Sequence, residues 1–327
     1  MIVPEYWAEA KERVVVNGKA RTYKRFGWSD ESEDDAYRKA QERLADVIVM
    51  VRRGEKVRLV DHKTAYNGAE GLPIREEIIS RRGDAVITRN GYGAACLNTP
   101  DVMFADVDVD EPSSARYGWT IFGLALLASL WTRHNWAGNG EVLSWILLAT
   151  ALFLSAPLGK LIHRVAGLFS VNPYDAALAR IETFTQKDRL ALVRIYRTPN
   201  GFRVLAMHDT FEPDGRGAQS FMRGVGGDPL YAQMCRNQKC FRARLSPKPW
   251  RIGIEEHMRP RPGVWPISEE RLPDRRRWIR RYETVAANYA ACRYEKTVGD
   301  GRSIRKCEDI RRLHDDLCRA TYDLPIA

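Results

Sequence analysis

The segment Phe104-Ala105-Asp106-Val107-Asp108-Val109-Asp110 sets three carboxylates at alternate positions. Read as a strand, it sends Ala105, Val107 and Val109 to one face. Asp106, Asp108 and Asp110 then share the other, spaced ~6.6 Å apart. Carboxylates in such a row repel one another and are tolerated when a divalent cation or basic side chains neutralise them. Mg2+ or Mn2+ needs only one or two carboxylates besides substrate phosphates. Asp106 and Asp108 therefore suffice as catalytic metal ligands, with Asp110 or Asp228 assisting. In two-metal chemistry such a pair holds the ions that activate an attacking oxygen and stabilise the leaving one. The competing reading is a solvated strand edge, or salt bridges to the many arginines of the chain. Asp228, just before Pro229, is most simply a helix N-cap.

A basic run, Phe241-Arg242-Ala243-Arg244-Leu245-Ser246-Pro247-Lys248-Pro249-Trp250-Arg251, is the second feature. Phe241, Ala243 and Leu245 face a core by period two, while Arg242, Arg244 and Ser246 face the opposite way, with Lys248 just beyond. Guanidinium forks bind phosphate in bidentate fashion, and lysine adds a point charge. Opposite an acidic metal site this is the other half of a nucleoside triphosphate pocket. Pairing with acidic side chains of the same chain explains it equally well. The histidines offer less. His208 ends a strand and reads as structural. His314, beside Asp315 and Asp316 on a helix with the apolar face Ile310, Leu313 and Leu317, reads as surface or packing. His62 and His257 have no companions. The six cysteines are scattered. Cys235 and Cys240 lack the usual zinc spacing, and Cys292, Cys307 and Cys318 carry no neighbouring histidine pattern, so all read as reduced cytosolic thiols.

The elements that must position these groups follow from periodicity. Val14–Val16 and Ala20–Tyr23 flank Asn17-Gly18, a hairpin turn. A helix follows, capped by Ser32 or Asp34, with Ala36, Ala40, Leu44, Ile48 and Val51 on one face and Gly54 as its stop. Asp84–Thr88, Ala94–Leu97 and Val102–Val109 read as successive strands, with Asn90-Gly91 as one turn. Asn172-Pro173 starts a helix ending near Gln186. Ala191–Tyr196 and Phe202–Met207 form a strand pair, Asp228-Pro229 opens another helix, and Phe241–Leu245 is a strand. Helices over roughly Asp274–Glu295 and Ser303–Ala320 close the chain, and Arg259–Pro273, rich in proline, reads as a linker. The pattern is α+β: one antiparallel RRM-like sheet backed by helices. Three regions result, 1–83 as an N-terminal α/β region, 84–251 as the core, and 252–327 as a basic helical region.

The core is interrupted by two apolar segments, Tyr117–Thr132 and Val142–Gly159. At ~1.5 Å per residue they reach ~24 and ~27 Å, slightly short for a bilayer. Tyr117, Trp119, Trp131, Trp136 and Trp145 suit the headgroup zone, and Arg116, Lys160, His163 and Arg164 can snorkel from the ends. Together they predict a two-helix transmembrane hairpin at 117–159 in the cell (inner) membrane, with both termini cytoplasmic. A hairpin buried within a soluble domain is the alternative, disfavoured because the surrounding chain is too polar to cover helices apolar all round. Met1–Arg13 has no apolar core and so no signal sequence. The formal net charge of +10 over 327 residues favours polyanionic partners: nucleotide, nucleic acid or the anionic surface of the lipid bilayer itself.

With these motifs in order, the core resembles the archaeo-eukaryotic primase superfamily. Phe104–Asp110 stands as its Asp-hydrophobic-Asp strand. Thr198-Pro199-Asn200-Gly201-Phe202-Arg203 stands where its Gly-aromatic-His turn belongs, and Asp228 with Arg242–Lys248 is similar to its third region. The resemblance implies an RRM-like fold, a divalent cation and nucleotidyltransferase activity, with Arg203, Arg242, Arg244 and Lys248 on substrate phosphates. Arg203 replaces the family histidine; it can hold phosphate but cannot act as a neutral imidazole. The chain also resembles a group of uncharacterised bacterial transmembrane proteins, a likeness that implies no activity. The expectation is a membrane-tethered, metal-dependent nucleotide-binding protein. The alternative is a non-enzymatic membrane protein whose basic domain binds anionic lipid, nucleic acid or a protein partner, with the acidic strand as a structural counter-charge.

Overall fold

The computed structural model describes residues 3–16, 18–61, 73–109, 114–135, 140–169, 171–261 and 265–327. Asn17, His62, Asp110 and Trp136, named above, lie outside the described residues. The chain is α+β and divides into two units: 1–108 with 180–327, and 109–179, which interrupts the first.

The first unit holds three antiparallel sheets. Strands β1 (Tyr6–Val16) and β2 (Lys19–Ser29) form a long hairpin, against which α1 (Glu33–Arg52) packs. The Ser32 hydroxyl accepts from the Asp35 N–H and starts α1, and Ala40, Leu44, Val47 and Ile48 meet Ala10 and Tyr23 in the core. One four-stranded sheet has the order β3 (Glu77–Arg82), β4 (Ala85–Arg89), β5 (Ala95–Thr99), β9 (Phe241–Arg244). The other runs β10 (Arg293–Val298), β7 (Val193–Thr198), β8 (Gly201–Ala206), β6 (Phe104–Asp108).

The single sheet expected from the strand order is therefore corrected to two. Chain direction breaks between β5 and β6, at Thr99-Pro100-Asp101. Pro100 has no N–H for a ladder, and the Thr99 hydroxyl donates to the Val102 carbonyl at 2.6 Å, turning the chain out of one sheet and into the other. The expected helix over Asp274–Glu295 is also corrected. Helix α7 (Leu272–Ala286) stops early, and Arg293–Val298 alternates exposed and part-buried residues as the edge strand β10. Arg259–Pro273 is no free linker either: Met258 and Ile267 are buried, and the Trp265 carbonyl accepts from Arg75.

Helices α4 (Pro173–Thr185), α5 (Arg216–Val225), α6 (Pro229–Gln238) and α8 (Arg305–Cys318) complete the described helices outside the hairpin. Helix α5 buries Ala218, Phe221, Met222 and Val225, one face at helical spacing, and ends at Gly226 with φ +78°. Helix α8 lies over the β7–β8–β6 sheet and buries Cys307, Ile310, His314, Asp315 and Cys318.

The second unit carries a helical hairpin, α2 (Ser114–Asn135) and α3 (Gly140–Phe169), both longer than the apolar segments read from sequence. Among the described residues one helical stretch, Gly140–Ala166, is long and apolar enough to cross a membrane, with 27 residues and a mean hydropathy of 1.9. Helix α2 does not reach that standard, so length and composition support one of the two spans expected at 117–159. Gly118, Trp119, Thr120, Trp131 and Thr132 dilute its aliphatic run.

Candidate functional site

The site is built on a row of side chains that cross the second sheet. Register pairs Asp106 on β6 with Arg203 on β8, and Arg203 with Tyr196 on β7. Directly opposed residues share a face, so these three groups must meet. Arg203 and Asp106 do so directly, as an ion pair. Arg203 Nε donates to Asp106 Oδ1 at 2.9 Å, and Arg203 Nη1 donates to the Arg244 carbonyl at 2.8 Å. Arg203 is 3 % exposed and Asp106 34 %. Burial alone would lower the pKa of Arg203; the Asp106 carboxylate outweighs it, and the net direction is upward. Arg203 is thus a buried cation locked to the acidic strand.

Two sheets meet at this point. Tyr231 on α6 donates its hydroxyl toward the Phe104 carbonyl at 3.1 Å and the Arg242 carbonyl at 2.9 Å, tying β6 to β9. The Asp228 N–H donates to the Asp106 carbonyl at 2.9 Å. The Asp228 carboxylate accepts from the N–H groups of Leu230 and Tyr231, capping α6. Sequence put Asp228 beside the acidic strand, and it is there through its backbone, with both carboxylate oxygens occupied.

The basic run divides. Arg242 points away from the seam and donates to both oxygens of Glu76, at 2.7 and 2.6 Å, in a mostly buried pair. Arg244, Lys248 and Arg251 stay on the acidic side. The Lys248 ammonium is held below its ordinary pKa by burial and by Arg244 and Arg251, while Asp108 and Asp106 pull it back up. Arg251 is lowered by burial and by Arg244, with Tyr92 and Asp108 opposing. Arg251 Nη2 also donates to Asn200 Oδ1 at 2.6 Å, in the β7–β8 turn whose Gly201 pairs with Asp108. Arg244 Nε is buried without a hydrogen-bond partner among the described residues. Beside these cations Trp250, 54 % exposed, meets the Tyr92 ring edge-on at 5.3 Å, and Lys248 Nζ sits 5.5 Å from the Trp250 centroid. The seam therefore brings together Asp106, Asp108, Arg203, Arg244 and Lys248. It does not bring in Arg242.

Beneath the row lies a cluster that sequence reasoning missed. Helix α8 lays His314, fully buried, against Tyr196 at 4.6 Å and Phe104 at 5.1 Å between ring centroids. His314 Nε2 lies 3.4 Å from Arg203 Nη1 and 3.9 Å from Cys292 Sγ. Its Nδ1 is 3.5 Å from Asp315 Oδ1, which accepts from the Tyr196 hydroxyl at 2.6 Å. Asp315 Oδ2 takes Arg194 at 2.9 Å and Arg311 at 3.0 Å. Burial pushes the Asp315 carboxyl up, but His314, Tyr196 and Arg194 outweigh it, and the carboxyl is held below the usual range. Of the two readings of His314, surface is corrected and packing holds, and the ring is also the hub of this network. The only sequence signal was the spacing of His314 and Cys318, four apart and so on one helix face.

The hairpin, described by itself, is sorted in the opposite sense. Among the described residues its buried positions are Gly118, Ser129, Thr132, Gly140, Ser144, Ala151 and Gly159. Ser129 donates to the Ser144 carbonyl at 3.2 Å across the pair, and a Cβ at Gly159 would lie 2.6 Å from the Gly118 nitrogen. Trp119, Leu127, Trp145, Leu152 and Phe153 face outward, Trp119 and Phe153 by 74 % and 77 %. Small residues let two backbones approach closely when the surroundings are as apolar as leucine.

Compared with known proteins, the chain matches no family model, no curated protein and no solved structure.

Proposed function

We propose that this is a membrane-tethered protein that binds a nucleotide through its phosphates with the help of a divalent cation, Mg2+ or Mn2+. The observation that carries this reading is the surplus of positive charge at the seam. Two carboxylates, Asp106 and Asp108, stand with four basic groups, Arg203, Arg244, Lys248 and Arg251. Arg203 is spent on Asp106; with Asp108 counted against the rest, two positive charges remain in surplus, and the buried Arg244 Nε has no hydrogen-bond partner among the described residues. Burial has lowered the proton affinity of Lys248, and an anionic ligand repays part of that cost. Asp108 and the second oxygen of Asp106 are the donors for the cation. Trp250, half exposed beside Tyr92, offers a ring on which a base can stack. Catalysis of the nucleotidyltransferase type, in the manner of the primase-like reading, would then consist of positioning and charge neutralisation. The hairpin would cross the bilayer twice as the tether and leave both flanks on the cytoplasmic side.

A second reading has its own observation in favour: the buried Arg203–Asp106 pair is what a structural counter-charge looks like. In that case the basic seam binds anionic lipid, nucleic acid or a protein partner without a metal. Calorimetry on the detergent-solubilised full chain separates the two. A nucleoside triphosphate with Mn2+ should give saturable heat that Arg244→Gln/Lys248→Gln abolishes and Asp108→Asn weakens. Asp108 is exposed, so its substitution leaves the buried pair intact. Heat unchanged by Asp108→Asn, or equal without Mn2+, favours the second reading.

A further inference from the structure

Cys292, His314 and Cys318 come from the segment before β10 and from one face of α8, and all three are buried. Their ligand atoms lie within 4.8 Å of one another. The Cys292 sulfur is 3.9 Å from His314 Nε2. In a tetrahedral zinc site, Zn–S and Zn–N distances of ~2.3 and ~2.0–2.1 Å put sulfur and nitrogen ~3.6 Å apart. The Cys292–His314 pair is thus within a few tenths of an ångström of coordination geometry, and Cys318 completes a set of three donors within 4.8 Å.

A second observation, independent of the spacing, points the same way. A metal-bound histidine nearly always donates its other ring N–H to a carboxylate, which fixes the tautomer that leaves the ligating nitrogen bare. His314 Nδ1 faces Asp315 Oδ1 at 3.5 Å. Asp315 is itself anchored by Tyr196, Arg194 and Arg311. The nitrogen left over, Nε2, is the one aimed at Cys292 and at the cluster's centre. The arrangement has the support that a ligand imidazole needs.

We propose that Cys292, His314 and Cys318 form a binding site for a thiophilic divalent cation, Zn2+. Sulfur and imidazole donors select zinc over the oxygen-seeking Mg2+ or Mn2+. Binding displaces the two thiol protons to solvent, and two thiolates, one neutral imidazole and Zn2+ sum to zero charge. Neutrality matters here, because Arg203 lies 3.4 Å from His314 Nε2 and already has Asp106 as its counter-ion. The Arg244 carbonyl oxygen, 3.5 Å from Cys318 Sγ, already accepts from Arg203 Nη1 at 2.8 Å, so the fourth position is left to a solvent oxygen. Such an ion would join the start of β10 to α8 directly beneath Arg203. It is a structural site, separate from the cation on Asp106 and Asp108.

The test uses the full chain expressed with added zinc, purified in detergent and dialysed. Metal analysis should find one zinc per chain, and X-ray absorption at the zinc edge should give a nearest shell of two sulfurs with nitrogen or oxygen. Replacement by Co2+ should produce a thiolate-to-cobalt charge-transfer band. Cys292→Ser and Cys318→Ser should lose the metal, and Cys96→Ser and Cys307→Ser should keep it. Because the first two variants risk misfolding, the wild-type absorption spectrum stands without them. Metal-free wild type after zinc supplementation overturns the proposal. So does a shell without sulfur, or a Cys292–Cys318 disulfide in its place. Arg244→Gln/Lys248→Gln should lose nucleotide-linked heat and retain zinc, so this site and the nucleotide reading fail separately.

Discussion

The hairpin and the globular unit sort the same side-chain types in opposite directions. In the hairpin, serine, threonine and glycine lie between the helices, and leucine, tryptophan and phenylalanine face out. In the globular unit the apolar groups are inside, and buried charges such as Arg203 and Asp315 are matched by named partners. On the proposed reading of the hairpin as a membrane tether, the difference is one of solvent. Against water, apolar burial drives packing at ~25 cal/mol per Å2, and a buried charge must be paired. Against lipid there is no such drive between helices, and close backbone approach with hydrogen bonding takes its place.

The most severe way to break this contrast is to charge the outward face of α3. Leu152→Asp/Phe153→Asp should cost ~5–7 kcal/mol if that face meets hydrocarbon, from ~2.5–3.5 kcal/mol for each aspartate at a helix centre. It should abolish membrane insertion in a translocation assay. If the face meets water, the same change should cost no more than about 0.5 kcal/mol per site, and insertion would not be the right description. Next in size is Arg203→Met. Asp106 would be left without its buried partner, at ~3 kcal/mol, the low end for a broken pair because Asp106 keeps about a third of its side chain in solvent. Urea melts of the globular unit's tryptophan signal read it. Loss below 1 kcal/mol, a size typical of exposed ion pairs, would reclassify the pair as a surface bridge.

Gly159→Leu sharpens the same contrast from the small-residue side. Its new Cβ meets the Gly118 backbone, so overpacking should cost ~1–3 kcal/mol and part the two helices, seen as lost proximity between labels at their ends. Labels that stay together would mean that the close approach is incidental. The smallest effect is on pH dependence. The Asp315 carboxyl is held low in the fold, so the unfolded chain binds more protons in acid. Its stabilisation is complete above the ordinary carboxylate pKa of ~3.9 and fades as pH falls through the depressed folded value. Asp315→Asn should therefore flatten the acid limb of a stability-against-pH curve. An unchanged limb would show that Asp315 is not what titrates.

Much of this was legible in the residues. Helix α1, its Ser32 cap and the long β1–β2 hairpin follow from period, cap and turn. The acidic strand faces where alternation puts it, and Arg244 and Lys248 lie on its side. What period could not show was partnership across the chain. Arg242 and Arg244 alternate identically with the core residues, yet Arg242 meets Glu76, which is 166 positions away. Arg242 and Arg244 share one face of β9, so what separates them is position along the strand: Arg242 pairs with Asn98 and Arg244 with Cys96 on β5. Helix α5 is absent from the sequence reading although Ala218, Phe221, Met222 and Val225 have helical spacing; Gly217 and Gly224 within it lower the local helix propensity. Likewise Cys292 and Cys318 show no zinc spacing in sequence. Only the return of α8 over the sheet brings them to one imidazole.

The central claim is that cation and phosphate share the seam, and linkage between them tests it most directly. Binding free energies are reciprocal, so a nucleotide that shares its site with the metal must tighten Mn2+ by the same factor that Mn2+ tightens it. Protein-bound Mn2+, followed by electron paramagnetic resonance, is predicted to be held ~5–150-fold more tightly with a saturating non-hydrolysable nucleoside triphosphate than without, the usual range of such coupling. The gain should disappear in Asp108→Asn. Mn2+ affinity that ignores the nucleotide, or a gain that survives Asp108→Asn, would contradict a shared site.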